Sequence, residues 1–301
     1  HYLWGPDGTA LVTRVGSNHL DFQPSPGMTA DKTLSGGELS GITVLFDKIE
    51  NDLTPHLKTG SLASLFDMRD RVLTEFQEVL DRGAQTFADI FNTLHNQGAA
   101  YTAPTEMISS HTFEATDIVS GEMGDITVGL TNEKGEITDY KQINLGPLVS
   151  VQNVIDEIDN MTEVTSFLYG GKIHLRTIPA EGEYRGIVLR ASDDSGKKAL
   201  SALGLNDLFI SDKARTPYDG GITPGFSSTF RVRSSLMQNP TWFAHGMWTE
   251  EGDLDEGETS VQKSDSRGLQ AMAMEKSALW SFKAAGSWSD KRLNPFDWGR
   301  L

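Results

Sequence analysis

The stretch from Ser61 to Gly98 limits what this chain can fold into more than any other. Phe66, Leu73, Leu80, Phe87 and Leu94 recur every seven residues. Phe76 and Ile90 stand three residues beyond a member of that series, Gly83 and Arg69 hold the same position elsewhere, and Val72 and Val79 widen the stripe. Asp67, Arg71, Glu75, Glu78, Asp81 and Arg82 lie on the other side. A 3.5-residue period held this long predicts one long helix packed beside other helices. Each large stripe residue contributes roughly 1.5–3 kcal/mol when buried. An isolated helix gains none of it, so a helical neighbour is required.

The chain has 301 residues, room for about two domains. Its 26 basic and 42 acidic residues leave a net charge of −16. A surface so negative repels phosphate backbones and anionic lipid, so nucleic acid and membrane are set aside as partners. There are no cysteines, which excludes disulfides, thiolate metal sites and a cysteine nucleophile. The sequence opens at His1 directly on a strand-like pattern, and we read it as a fragment of a longer protein.

Residues 1–60 read as β, with a turn at Pro6-Asp7-Gly8 and a strand in "GITVLFDKI". From Glu114 to Ser228 short strands alternate with turns. Glu133-Lys134-Gly135 divides one pair and Gly170-Gly171 joins another as a hairpin. Ser150 is a predicted N-cap for a helix with Val151, Val154, Ile155 and Ile158 on one face. "SGKKALSALGL" reads as a helix ending at Gly204. The Pro/Gly-rich "DKARTPYDGGITPG" marks a boundary. A second long helix is predicted from Arg267 to Ala285, with Leu269, Met272, Leu279 and Phe282 on its stripe. It is the natural partner of the first. The expected fold class is therefore α+β. A long-helix core domain with β hairpins, 1–113 plus 229–301, is interrupted by an inserted mainly-β domain, 114–228.

Candidate chemistry is sparse. The seven histidines (His1, His19, His56, His95, His111, His174 and His245) form no close metal spacing. His95 sits on the last helical turn, where a cation suits the dipole, and His174 lies on a strand and is read as facing solvent. Asp193-Asp194 reads as an acidic helix cap, because the alternating acids of a calcium loop are absent. "DDSGKKAL" lacks the frame of a phosphate loop, and no GxSxG occurs. Trp4, Trp242, Trp248, Trp280, Trp288 and Trp298 could serve as sugar platforms, although packing is the commoner use. No catalytic residue, cofactor or metal is expected.

Several segments resemble one family. "TGSLASLFDMRDRVL" is similar to the Gly-x-Leu-x-x-Leu-x-x-x-Arg-Asp segment of flagellar hook-associated protein 1, the hook–filament junction proteins. Gly60, Leu62, Leu65, Arg69 and Asp70 stand at the matching positions. Asn92, His95 and Gly98 match the end of that family's helix. "LGLNDLF", "VRSSLMQNPTWFAHG" with Asn239 and Pro240, and "SDSRGLQAMA" follow in the family's order. The strand–helix–hairpin between them resembles a module shared by several flagellar axial proteins. The family's terminal coiled-coil helices are not present, and the 286–301 tail matches nothing in it.

The resemblance implies a non-enzymatic structural subunit. Such a subunit leaves the cell unfolded through the flagellar channel and assembles outside with copies of itself, the hook, a second junction protein and the filament. An export chaperone acting on the absent C-terminus is also implied. Another axial protein, of flagellin or filament-cap type, is the alternative. A surface glycan-binding or hydrolytic module in 114–228 is a further one.

Overall fold

The computed structural model describes residues 2–5, 8, 10–25, 27–28, 32, 34, 36–46, 49–117, 124–145, 150–191, 193–213, 221–248, 257–294 and 296–297, with Phe46 and Ile49 as backbone alone. The predicted turn at Pro6-Asp7, most of the Pro/Gly-rich boundary and the end of the tail, Trp298 included, lie outside the described residues. The chain forms two compact units. One comprises His1–Asp81 with Ala284–Ser289, the other Arg82–Lys283 with Asp290–Leu301. The boundary falls inside one helix.

The first unit carries two small antiparallel sheets. Strands β1 (Leu3–Trp4) and β2 (Ala10–Val12) form one. The other has the order β3 (His19–Phe22), β4 (Ile42–Phe46), β5 (Ile49–Asp52). Helix α1 (Gly60–Asp67) follows, entered through Gly60 at φ +88°. It runs through a π turn, Met68–Val72, into α2 (Leu73–Gln97).

The second unit has its core between sheets and short helices. Strands β6 (Glu106–Ile108), β10 (Lys172–Thr177) and β9 (Val164–Tyr169) make one antiparallel sheet. Strands β11 (Gly186–Ala191), β7 (Asp125–Thr131) and β8 (Ile137–Asn144) make another. The β9–β10 hairpin turns on Gly170 (φ +57°) and Gly171 (φ +74°), left-handed values that suit glycine at both turn positions. Helix α3 (Val151–Asp159) begins at a capping box between Ser150 and Asn153 and buries Val151, Val154, Ile155 and Ile158. Helix α4 (Asp194–Leu203) is capped by Asp193 and ends at left-handed Gly204. One apolar core joins these helices to both sheets, with Ile126, Val128, Leu130, Ile173, Leu175, Ile187 and Leu189 at its centre. Met107 and Phe113 belong to the same core.

The C-terminal part departs from the sequence reading. The helix expected over 267–285 is only Arg267–Glu275. The chain then turns, and Trp280–Phe282 is a strand paired with Lys291–Leu293. Trp280 and Phe282 follow a two-residue period, and Phe282 is fully buried. Burying that large ring outweighs the helical preference of the alanines around it.

Candidate functional site

The long helix is where sequence pattern and geometry can be compared directly. Along an α-helix, residues seven apart nearly share a face. The π turn Met68–Val72 absorbs one extra residue, which rotates everything beyond it by about 100° relative to α1. Phe66 therefore drops off the line of Leu73, and Leu65 comes into line instead. Phe66 turns to the sheet and meets Phe22 edge-on at 6.3 Å. The Arg69 guanidinium sits 4.7 Å over the Phe66 ring. Arg69 Nε donates to Asp70 Oδ1 at 2.5 Å, one Nη to Asp70 Oδ2 at 2.9 Å, and the other Nη to the Ser40 carbonyl at 2.7 Å. Arg69 and Asp70 thus act together to clamp the loop before β4 to the helix.

The corrected stripe divides in two. Leu62, Leu65, Leu73, Phe76 and Leu80 are 40–65% exposed. They form an apolar row on the first unit's helix. The flank of that helix is covered: Val79 is buried, and Gly286 N donates to Glu78 Oε2 at 3.0 Å. A Cβ at Gly286 would stand 2.5 Å from the Glu75 carbonyl oxygen, so only glycine fits the crossing. Beyond Asp81 the stripe is packed. Phe87 lies 4.6 Å from Phe91 with the rings tilted at 40°, and meets Phe209, Phe230 and Phe296 edge-on at 5.3–6.2 Å. Ile90 is buried among Phe91, Leu208, Leu236 and Met272, and Leu94 packs against the same cluster.

The helix ends in a polar joint. Asn92 acts as a two-way clamp: its Nδ2 donates to the Phe209 carbonyl, and its Oδ1 accepts from Phe209 N, both at 2.8 Å. Asn96 accepts from Asn206 N at 2.9 Å and donates to Asp207 at 2.5 Å. Asn206 Nδ2 donates to the His95 carbonyl at 3.1 Å. His95 is fully buried, with Nδ1 2.5 Å from the Asn206 carbonyl and Nε2 accepting from Ala244 N at 3.1 Å. Accepting at Nε2 and donating at Nδ1 fixes one neutral tautomer. Burial above all, opposed by the Asn206 carbonyl and Asp207 and reinforced by nearby Arg233, brings its pKa down to about 4. His95 is therefore not the cation at a helix terminus that its position predicted. Gly98 completes the joint, since a Cβ there would lie 2.8 Å from that of Ala244. Ala99 and Gly246 exchange backbone hydrogen bonds at 2.9 and 3.1 Å.

Three segments far apart in sequence, "LHNQG", "NDLF" and "FAHG", thus meet at one point. Asn239 and Pro240 lie on an exposed turn nearby in sequence, with Trp242 N donating to the Asn239 carbonyl. Arg233 carried no sequence signal beyond its place in a landmark segment. It ties this region down by donating to the carbonyls of Ile108, Gly204 and Leu205 at 2.7–3.1 Å.

The remaining candidate side chains make structural contacts. His111 and His245 each hold a backbone carbonyl, of Ala202 and Asp265. His174, between the buried Ile173 and Leu175, lies on the face of its strand away from the core, half-buried and stacked on Phe167 at 5.1 Å. Asp193 is engaged as a helix cap on Gly196 N. Trp248 is fully buried beneath Arg190, whereas Trp4 is exposed and stacks on Tyr2. Among the described residues, no three His, Asp or Glu side chains are placed to share a metal ion, and no helix is long and apolar enough to cross a membrane.

Residues 4–106 match the family model of the helical domain of flagellar hook-associated protein FlgK. That span holds the Arg69–Asp70 clamp, the exposed row and the joint residues Asn92, His95 and Gly98. Among solved structures, the flagellar hook junction protein FlgK from Burkholderia pseudomallei aligns at 15% identity over 70% of this chain, with a TM-score of 0.28. The chain covers 40% of the length of that protein. No curated protein matches it. Residues 4–106, about a third of the chain, are thus similar to the helical domain of flagellar hook-associated protein FlgK.

Proposed function

We propose that this chain is part of a structural subunit that joins the flagellar hook to the filament, acting through packing of helix faces without catalysis. The observation that carries the reading is the exposed row Leu62, Leu65, Leu73, Phe76 and Leu80. An apolar row of this length on a monomer signals a packing partner. Neighbouring copies and the axial proteins on either side, hook, second junction protein and filament, are the partners this reading supplies. An export chaperone belongs to the same reading. So does an extracellular location reached through the flagellar channel, a route that the cysteine-free sequence suits.

The reading keeps 1–113 with 229–301 as the helical core and 114–228 as the inserted outer module. Strand β6, just ahead of that module, pairs with β10 inside it. The joint at Asn92, Asn96 and Asn206 then has a mechanical task, since it ties the end of the long helix to residues 206–209 of the module. The match to the FlgK helical domain favours this reading over a flagellin or cap protein. Deleting the gene and imaging the cells tests it. Hooks without filaments, with filament monomers released to the medium, are expected. Filaments of normal number would contradict it.

A further inference from the structure

A cleft of about 420 Å³ opens in the second unit, lined by residues that include Ser109, Ser110, Lys172, Arg233, Ser234 and Trp242. Four basic residues face it in a chain that is otherwise strongly acidic: Lys172, Lys213, Arg231 and Arg233. Its two carboxylates are taken. Glu106 pairs with Arg176 at 2.7 Å and Asp212 with Arg231 at 2.5 Å. Asp207, behind the wall, accepts from Asn96 and from the Ser110 hydroxyl.

Among the described residues neither Lys172 nor Arg233 makes a direct ion pair, although the charge of Asp207 acts on both and that of Asp212 on Lys172. Lys172 Nζ donates only to the carbonyls of Ser109 and Ser110, at 3.2 and 3.1 Å. Arg233 spends its terminal nitrogens on three carbonyls, while its Nε is buried with no acceptor. Carbonyl dipoles hold the two cations in place but do not neutralise them. Burial, and then the charge of Arg233, hold the Lys172 ammonium below its ordinary pKa, so a counter-anion here relieves a real repulsion. The hydroxyls of Ser234 and Ser235, also in the lining, supply further donors. The volume falls within the ~300–1,000 Å³ of small-molecule sites. An ion alone would leave most of it empty, and Trp242, which lines the cleft, offers an indole of the kind sugar rings pack against.

We propose that this cleft binds an oxyanion group, a sulfate or phosphate that is free or carried on a saccharide, beside Lys172 and Arg233. The protein's overall negative charge does not prevent this, because charges beyond about 8–10 Å are screened at physiological salt.

The test is a titration of the intact chain with sodium sulfate and, separately, with a sulfated monosaccharide, each against sodium chloride of matched ionic strength. Amide NMR shifts are the readout. Saturable shifts centred on Ser110, Lys172 and Ser234 are expected, with affinity at least tenfold weaker in Lys172→Met. Lys141→Met, which removes a lysine paired with Glu157 on β8, should leave the titration unchanged and controls for net charge. Tighter binding of the saccharide than of the ion assigns the group to a carbohydrate, and equal binding assigns it to the free ion. Absence of saturable shifts at the cleft overturns the proposal. So does equal weakening in Lys172→Met and Lys141→Met. Chemical shifts away from the cleft report whether each variant keeps its fold.

Discussion

The two halves of one stripe behave differently. Phe87, Ile90 and Leu94 share their spacing with Leu73, Phe76 and Leu80, and both triplets lie on the same helix. The later residues pack among the side chains of Phe91, Leu208, Leu236 and Met272, but the earlier ones are 40–56% exposed. Periodicity alone reports that a face is apolar. What covers it depends on which chain segments return to it, and here the returning segments 206–209, 232–243 and 272–280 all reach the later half. The comparison separates a face that stabilises the fold from one that remains free for a neighbour.

Substitutions can break or sharpen that contrast. The largest effect belongs to Ile90→Ala, which removes a buried side chain and should cost about 2–5 kcal/mol in a urea melt. A loss below about 1 kcal/mol would mean that the cluster is looser than described. Next comes the pH dependence. The folded pKa of His95, about 4, lies below its ordinary value of 6.5. The unfolded chain therefore holds more protons between those values, and stability rises with pH across that window. It is fully present above about pH 6.5 and decreases by up to about 3 kcal/mol on acidification to pH 4. Urea melts at pH 7.5, 5.5 and 4.5 should show the trend, and a His95→Gln variant should lose that part of the slope.

Asn92→Ala follows, at about 1–3 kcal/mol, because it strands both the N–H and the carbonyl of Phe209. Asn92→Asp should restore the acceptor but not the donor, and fall between Ala and the parent protein. Smallest of all, Leu73→Ala and Phe76→Ala should change stability by no more than about 0.5 kcal/mol, as exposed positions do. A loss as large as that of Ile90→Ala would show that the first half of the stripe is covered within this chain.

Much of the local structure was legible in the sequence because its causes are local. The Gly170-Gly171 hairpin, the Ser150 cap and the Gly204 helix end each rest on one or two residues with a narrow conformational preference. Four features were not legible. The π turn has no local signature in "MRDRV", so an apparently unbroken spacing from Phe66 to Leu73 concealed a rotation of the face. The helix expected to Ala285 ended early because Phe282 gains more from a buried strand than the intervening alanines gain from helix. The role of His95 depends on Asn206 and Ala244, more than a hundred residues away, and position on the helix alone suggested the wrong charge state. The family landmarks were visible as segments, but their convergence on one joint was not.

The central claim is that the exposed half of the stripe serves assembly and the buried half serves the fold. The most direct test replaces Leu73, Phe76 and Leu80 together with aspartate in the chromosomal gene, followed by electron microscopy of the cells and a thermal melt of the purified variant. The account predicts an unchanged melt and an exported protein, with hooks that carry no filament. Normal filaments on cells carrying the triple variant would contradict it.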